Sequence, residues 1–139
     1  LKFERETRVR DLYARDIREV RPGERVIGKE CRYGESGMRV DLRTVDTSDL
    51  IREWEFKIYA RYESLGQIQV YVYQALCANP GRQVRGVIAA FDFQPELRQT
   101  VRSLSLNIEL VTIPHWMAQA GGVPLSAPPV NVVKIPKGI

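Results

Sequence analysis

A chain of 139 residues, 44% of them hydrophobic and 27% charged, is one globular domain of ordinary size, too apolar for a disordered segment. Its formal net charge of +4 hints at an anionic partner, while one histidine and two cysteines 46 positions apart exclude a Cys/His zinc site. No run of 18 apolar residues and no charge-poor leader occurs, so the expectation is an intracellular, cytoplasmic chain without membrane span or signal peptide, with Cys31 and Cys77 as free thiols.

In chain order, residues 3–20 carry Val9, Leu12, Tyr13, Ile17 and Val20 at helical spacing, which predicts one amphipathic helix ended by Pro22 and Gly23. Residues 25–33, 38–45 and 50–60 read as strands joined by polar turns at 34–37 and 46–49, an antiparallel meander. Leu65, Ile68, Tyr71, Val72 and Leu76 mark a helix over 64–78, stopped by Asn79, Pro80 and Gly81. Residues 84–93 contain a continuous apolar run, the mark of a strand buried on both faces. Pro95 opens a short helix with Leu97, Val101 and Leu104, and residues 107–113 make the fifth strand. This order predicts an α/β sandwich with a mixed sheet over residues 1–113. Residues 114–139, with Gly121, Gly122 and four prolines after Pro114, read as a tail that is an extended arm or a loosely packed wrap on that domain.

Arginine supplies 16 of the 21 basic residues, and all but Lys134 and Lys137 precede residue 103. Any polyanion surface therefore belongs to the first three quarters of the chain, where planar guanidinium forks can match phosphate oxygens.

The third strand holds the chemistry. With Trp54, Phe56 and Ile58 on one face, the period of two sends Glu53, Glu55, Lys57 and Tyr59 to the other. On the preceding strand Asp41 points away from the face of Val40 and Leu42, and a hairpin pairing brings it near Glu55. Two carboxylates from adjacent strands with an ammonium beside them suit a hard divalent cation such as Mg²⁺, the lysine holding a water. An exposed cross-strand charge pattern has the same spacing, and on these residues alone the two readings stay open. His115 lacks a second histidine or cysteine and reads as structural, Ser36 sits in a Gly-flanked turn without a partner histidine, and no phosphate-loop glycine motif occurs.

Three segments follow one another: SGMRVDL (36–42), REWEFKI (52–58) and LGQIQVY (65–71), preceded by ETRVRDL (6–12) on the first helix. Together, from Glu6 to Ile113, they resemble the PD-(D/E)XK nuclease superfamily, the restriction-endonuclease-like fold that includes RecB-type nucleases, archaeal junction resolvases and mismatch endonucleases. The resemblance implies a core of order αβββαβ, a mixed central sheet flanked by helices. It matches Asp41 to the acid of the second strand and Glu55 and Lys57, 14 and 16 positions on, to the Glu-x-Lys of the third. Gln67 and Tyr71 match the glutamine and tyrosine of the RecB-like branch, and Glu6 the acid of the first helix, with Glu4 close behind. Val40 stands where the motif's proline would be.

The resemblance implies a Mg²⁺ or Mn²⁺ dependent hydrolase of phosphodiester bonds in DNA. Asp41, Glu55 and Glu6 would hold the metal, with the Phe56 carbonyl as a backbone ligand. Lys57 would orient the attacking water, Gln67 would support Lys57 or touch the phosphate, and Tyr71 would brace the helix end. Arg39, Arg43 and Arg61, with Tyr71, are the expected nucleic-acid contacts. The implied partner is DNA, with RNA as the alternative polymer, no membrane, and a second copy of the chain as an open option. The competing expectations are a catalytically silent nucleic-acid-binding or assembly module and an RNA-cleaving toxin domain of the same fold.

Overall fold

An unbroken apolar stripe does not require an unbroken helix. In the computed structural model, which describes residues 2–34 and 37–125, Val9, Tyr13 and Ile17 share one buried stripe. The helix nevertheless parts at Asp16, whose φ of −103° and ψ of 22° leave the helical region. The pieces are α1 (Lys2–Arg15) and a single turn, α2 (Ile17–Val20). Apolar spacing of three and four residues survives a one-residue break, which is why the sequence reads as one helix.

The remaining elements are β1 (Arg25–Arg32), β2 (Arg39–Val45), β3 (Ile51–Ala60), α3 (Glu63–Ala78), β4 (Val84–Phe93), α4 (Pro95–Leu104), β5 (Ile108–Thr112) and α5 (His115–Ala120). The strands form one sheet in the order β1-β2-β3-β4-β5. Short turns make β1, β2 and β3 antiparallel neighbours, while α3 and α4 carry the chain back so that β3, β4 and β5 run parallel. The result is the expected α/β architecture of a mixed sheet flanked by helices. Val87, Ile88, Ala89 and Ala90 of β4 are fully buried, as their unbroken apolar run requires.

Each face has its own core. Val9, Tyr13, Ile17 and Met117 cover Trp54, Phe56, Val87 and Ala89, and Ile68, Tyr71 and Leu97 cover Ile88 and Ala90 on the other side. Two contacts fix the helices that frame the site. The Tyr13 ring packs 5.4 Å from Trp54 and 5.5 Å from Phe56, which pins α1 across β3. A Cβ at Gly86 would stand 2.6 Å from Ile68 Cγ1, so glycine there lets α3 lie close on β4 and sets the depth of Gln67 and Tyr71.

Of the two expectations for the tail, its first residues follow the packed one, in a short helix. α5 buries Met117 and Ala118, Val123 is buried after it, and Arg8 Nε donates to the Gly121 carbonyl at 3.0 Å. Flanking proline and glycine hid a six-residue helix. Residues 126–139 of the tail, and Glu35 and Ser36 of the first turn, lie outside the described residues. Among the described residues no helix is long and apolar enough to cross a membrane.

Candidate functional site

The sheet splits where the site lies. β2 and β3 pair only through residues 42–45 and 51–54. Beyond that point β2 stays with β1 while β3 continues along β4. Backbone amides left without a strand partner must be satisfied otherwise, and here carboxylates do it. Asp41 Oδ2 accepts from the Phe56 N–H at 2.8 Å, and Glu6 Oε2 accepts from the Ile58 N–H at 3.1 Å.

A cleft of about 490 Å³ opens at this split, lined by Asp41, Glu55 and Lys57 together with Glu6, Gln67 and Tyr71. One further step of the β2–β3 register sets Asp41 opposite Glu55. Glu55 is only 5% exposed. Its Oε2 stands 3.3 Å from Lys57 Nζ, and its Oε1 is buried with no hydrogen-bond partner among the described residues. Burial, and then the neighbouring charge of Asp41, push the Glu55 carboxyl up to about 8 against the pull of Lys57. Burial also raises Asp41, although the Phe56 amide, Arg10 and Lys57 favour its charged form. Gln67 Nε2 donates to Tyr71 Oη at 2.9 Å. Burial and the Glu55 charge raise the Tyr71 phenol as well.

Of the two candidate acids on α1, Glu6 lines the cleft while Glu4 is exposed to solvent. Glu6 shares the cleft with Asp41 and Glu55 and its charge bears on both, while among the described residues no three of His, Cys, Asp and Glu converge as a metal-binding group. Arg39 lines the cleft. The other two expected phosphate contacts, Arg43 and Arg61, have partners within the chain and do not line the cleft. Arg43 lies opposite Glu53 in the β2–β3 ladder, and its guanidinium is committed to that fully buried carboxylate, with Nε at 2.7 Å and Nη2 at 3.0 Å. Tyr33 Oη donates to the same carboxylate and accepts from Arg43 at 2.7 Å. Arg61 stacks over the Tyr59 ring at 5.1 Å, outside the residues that line the cleft.

The raised Glu55 carboxyl makes metal-free stability depend on pH. The folded chain holds this proton up to about 8, whereas an unfolded glutamate releases it near about 4.3. The associated stability is complete below the unfolded value and is lost as pH rises through the folded one. Glu109, Asp46 and Glu30 shift the other way, each held low by arginine or hydrogen-bond partners, so their losses fall below this window. Melting temperature in EDTA is therefore expected to drop between pH 5 and 9 on the scale of that window, with Glu55→Gln flattening the slope. A wild-type curve that rises or stays level would show that Glu55 is ionised throughout.

Sequence reasoning missed Arg10, which lines the same cleft. Its signal was the helical spacing of four from Glu6, which puts both on one face of α1.

No protein-family model matches the chain, and no curated protein matches its sequence. Its fold is similar to solved structures. EndoMS in complex with dsDNA superposes with a TM-score of 0.65 at 19% identity, covering 78% of this chain and 45% of that one. A repair endonuclease from Pyrococcus abyssi gives 0.62 at 19% identity, covering 78% and 47%. EndoMS in apo form gives 0.61 at 18% identity, covering 87% and 47%. This chain thus spans less than half the length of each, and at such identity the likeness is one of fold.

Proposed function

We propose that the chain is a Mg²⁺ or Mn²⁺ dependent nuclease of the PD-(D/E)XK type that hydrolyses phosphodiester bonds in DNA. The observation that carries this reading is Glu55: a carboxyl 5% exposed, beside the half-buried acid Asp41, with one oxygen lacking a hydrogen-bond partner among the described residues. A buried carboxylate left half-unpaired is costly, and a divalent cation is the partner that removes the cost. The donor set is all oxygen, which suits a hard cation that keeps most of its waters and takes one or two carboxylates. Asp41 and Glu55 would hold it, with the Phe56 carbonyl beside them, and Glu6 would reach it through water.

The cation would polarise the phosphate and lower the pKa of a bound water. The side chains do the rest. Asp41 is held in place by the Phe56 amide, with its second oxygen left for the cation. Lys57 Nζ, 3.3 Å from Glu55, would orient the attacking water and offset charge on the phosphorane-like transition state. Gln67 is steadied by its bond to Tyr71 and would touch the phosphate. DNA is the favoured polymer because a fold neighbour is held in complex with dsDNA.

The test is incubation of supercoiled plasmid, single-stranded oligonucleotide and tRNA with Mg²⁺, Mn²⁺ or EDTA. Metal-dependent cuts in DNA that EDTA abolishes are expected. Cleavage of tRNA alone would replace DNA by RNA, and no cleavage of any polymer with either metal would leave a silent binding module.

A further inference from the structure

β1 contains a conformation that its residue disfavours. Glu30 has φ of 51°, in the left-handed region where a side chain other than glycine is strained. Its neighbours Lys29 and Cys31 pair with Leu42 and Val40, so the register sets Glu30 across from Asp41, where an ordinary extended backbone would align two carboxylates. The Glu30 carboxylate instead accepts from Arg10 Nη1 at 2.9 Å and stands 3.7 Å from Arg39 Nη1. Both arginines line the cleft that holds Asp41 and Glu55. Arg10 is 6% exposed, and its Nε donates to Asp11 at 3.0 Å. Its Nη2 donates to nothing among the described residues, and Arg39 has no ionic partner among them besides Glu30.

A guanidinium gripped from behind by carboxylates, with an amino group left over at a cleft, is oriented before any ligand arrives. Such groups bind anionic oxygens with little ordering cost. We propose that Arg10 and Arg39, clasped by Glu30, seat a second phosphate of the nucleic-acid strand, beside the phosphate presented to Asp41 and Glu55. The inference rests on the nuclease reading and extends it: the strand is gripped at two successive backbone positions. The seat contributes affinity and register without reading bases, because phosphate carries no sequence. Glu30 is a positioning residue here, acting through the two arginines.

Binding of a labelled DNA oligonucleotide in EDTA is the first measurement. Arg10→Gln and Arg39→Gln are each expected to weaken it about tenfold, the loss of one charge-assisted contact, while Arg15→Gln on the far end of α1 leaves it within about twofold. The second measurement uses the mapped cleavage site with one neutral methylphosphonate placed next to it. Wild type should show a KM raised about tenfold with kcat kept, and the two variants should show no further rise on this substrate. If Arg10→Gln fails to fold by circular dichroism, Arg39→Gln decides, since that side chain is partly exposed and has a single ion pair. Variants that bind as wild type does, or losses that multiply with the methylphosphonate at every position, overturn the seat. A wild type that binds DNA but cuts none overturns the nuclease reading alone, and the binding data then decide the seat.

Discussion

Lys57→Ala is expected to lose about a hundredfold or more of the cleavage rate while binding DNA within a few-fold of wild type. Lys57 is one of 21 basic residues, so its part in neutralising the phosphate backbone is small. Its position is what counts. The ammonium lies 3.3 Å from Glu55 Oε2 and is partly open to the cleft, where it can meet developing charge in a partly water-excluded site. Lys57 also favours the charged form of Glu55, so the residual activity of the alanine variant should need a higher pH. Lys57→Arg keeps the charge but replaces a compact ammonium by a broad fork, and should recover little. Cleavage by Lys57→Ala at close to the wild-type rate would remove the lysine from the mechanism.

Asp41→Asn should abolish cleavage and most of the metal-induced gain in stability together. Asparagine keeps an oxygen to accept from the Phe56 amide, the bond that Asp41 makes at 2.8 Å, so the amide freed at the split stays satisfied. What disappears is a charge at Asp41 that burial already disfavours and that pushes up the Glu55 carboxyl. The metal-free variant is therefore expected to be as stable as wild type or somewhat more so, whereas loss of an ordinary ion-paired surface aspartate is neutral or slightly destabilising. A ligand that binds only the folded state stabilises it by about 2.7 kcal/mol at a hundred times its dissociation constant. Wild type should show that rise in Tm as Mn²⁺ is added, and the variant should lose most of it. Equal Mn²⁺ shifts in the two proteins would dismiss Asp41 as a ligand.

The parts of this structure that the sequence foretells are those set by period. Alternation along residues 50–60 places Glu55 and Lys57 on one face, and β3 does so. The apolar run in β4 announces a central strand, and α3 carries its apolar side toward the sheet. What escaped depends on where pairing starts and stops. Alternation also puts Arg43 on the face of Asp41, but only the register reveals that it meets Glu53. Nothing in the residue order marks the end of the β2–β3 ladder, because Leu42 and Val40 are equally suited to pairing. The left-handed Glu30 left no trace either, since the signal for such a backbone is normally glycine. The break at Asp16 and the helix α5 were hidden for a shared reason: segments of four and six residues are too short for periodicity to resolve.

The carboxylates that cap the freed amides of β3 have a second consequence. Where two strands diverge inside a sheet, an open edge is exposed, and open edges invite pairing with other chains. Asp41 and Glu6 occupy the two amides that a foreign strand would seek first, and their charge discourages its approach. On the proposed reading the same two residues guard the protein against aggregation and serve its chemistry. Substitution of either acid by alanine would strip both roles at once and leave sticky backbone behind, so loss of activity by that route carries a solubility penalty. Amide-for-acid exchange, which keeps an oxygen on each freed amide, removes the charge while leaving the chain well folded.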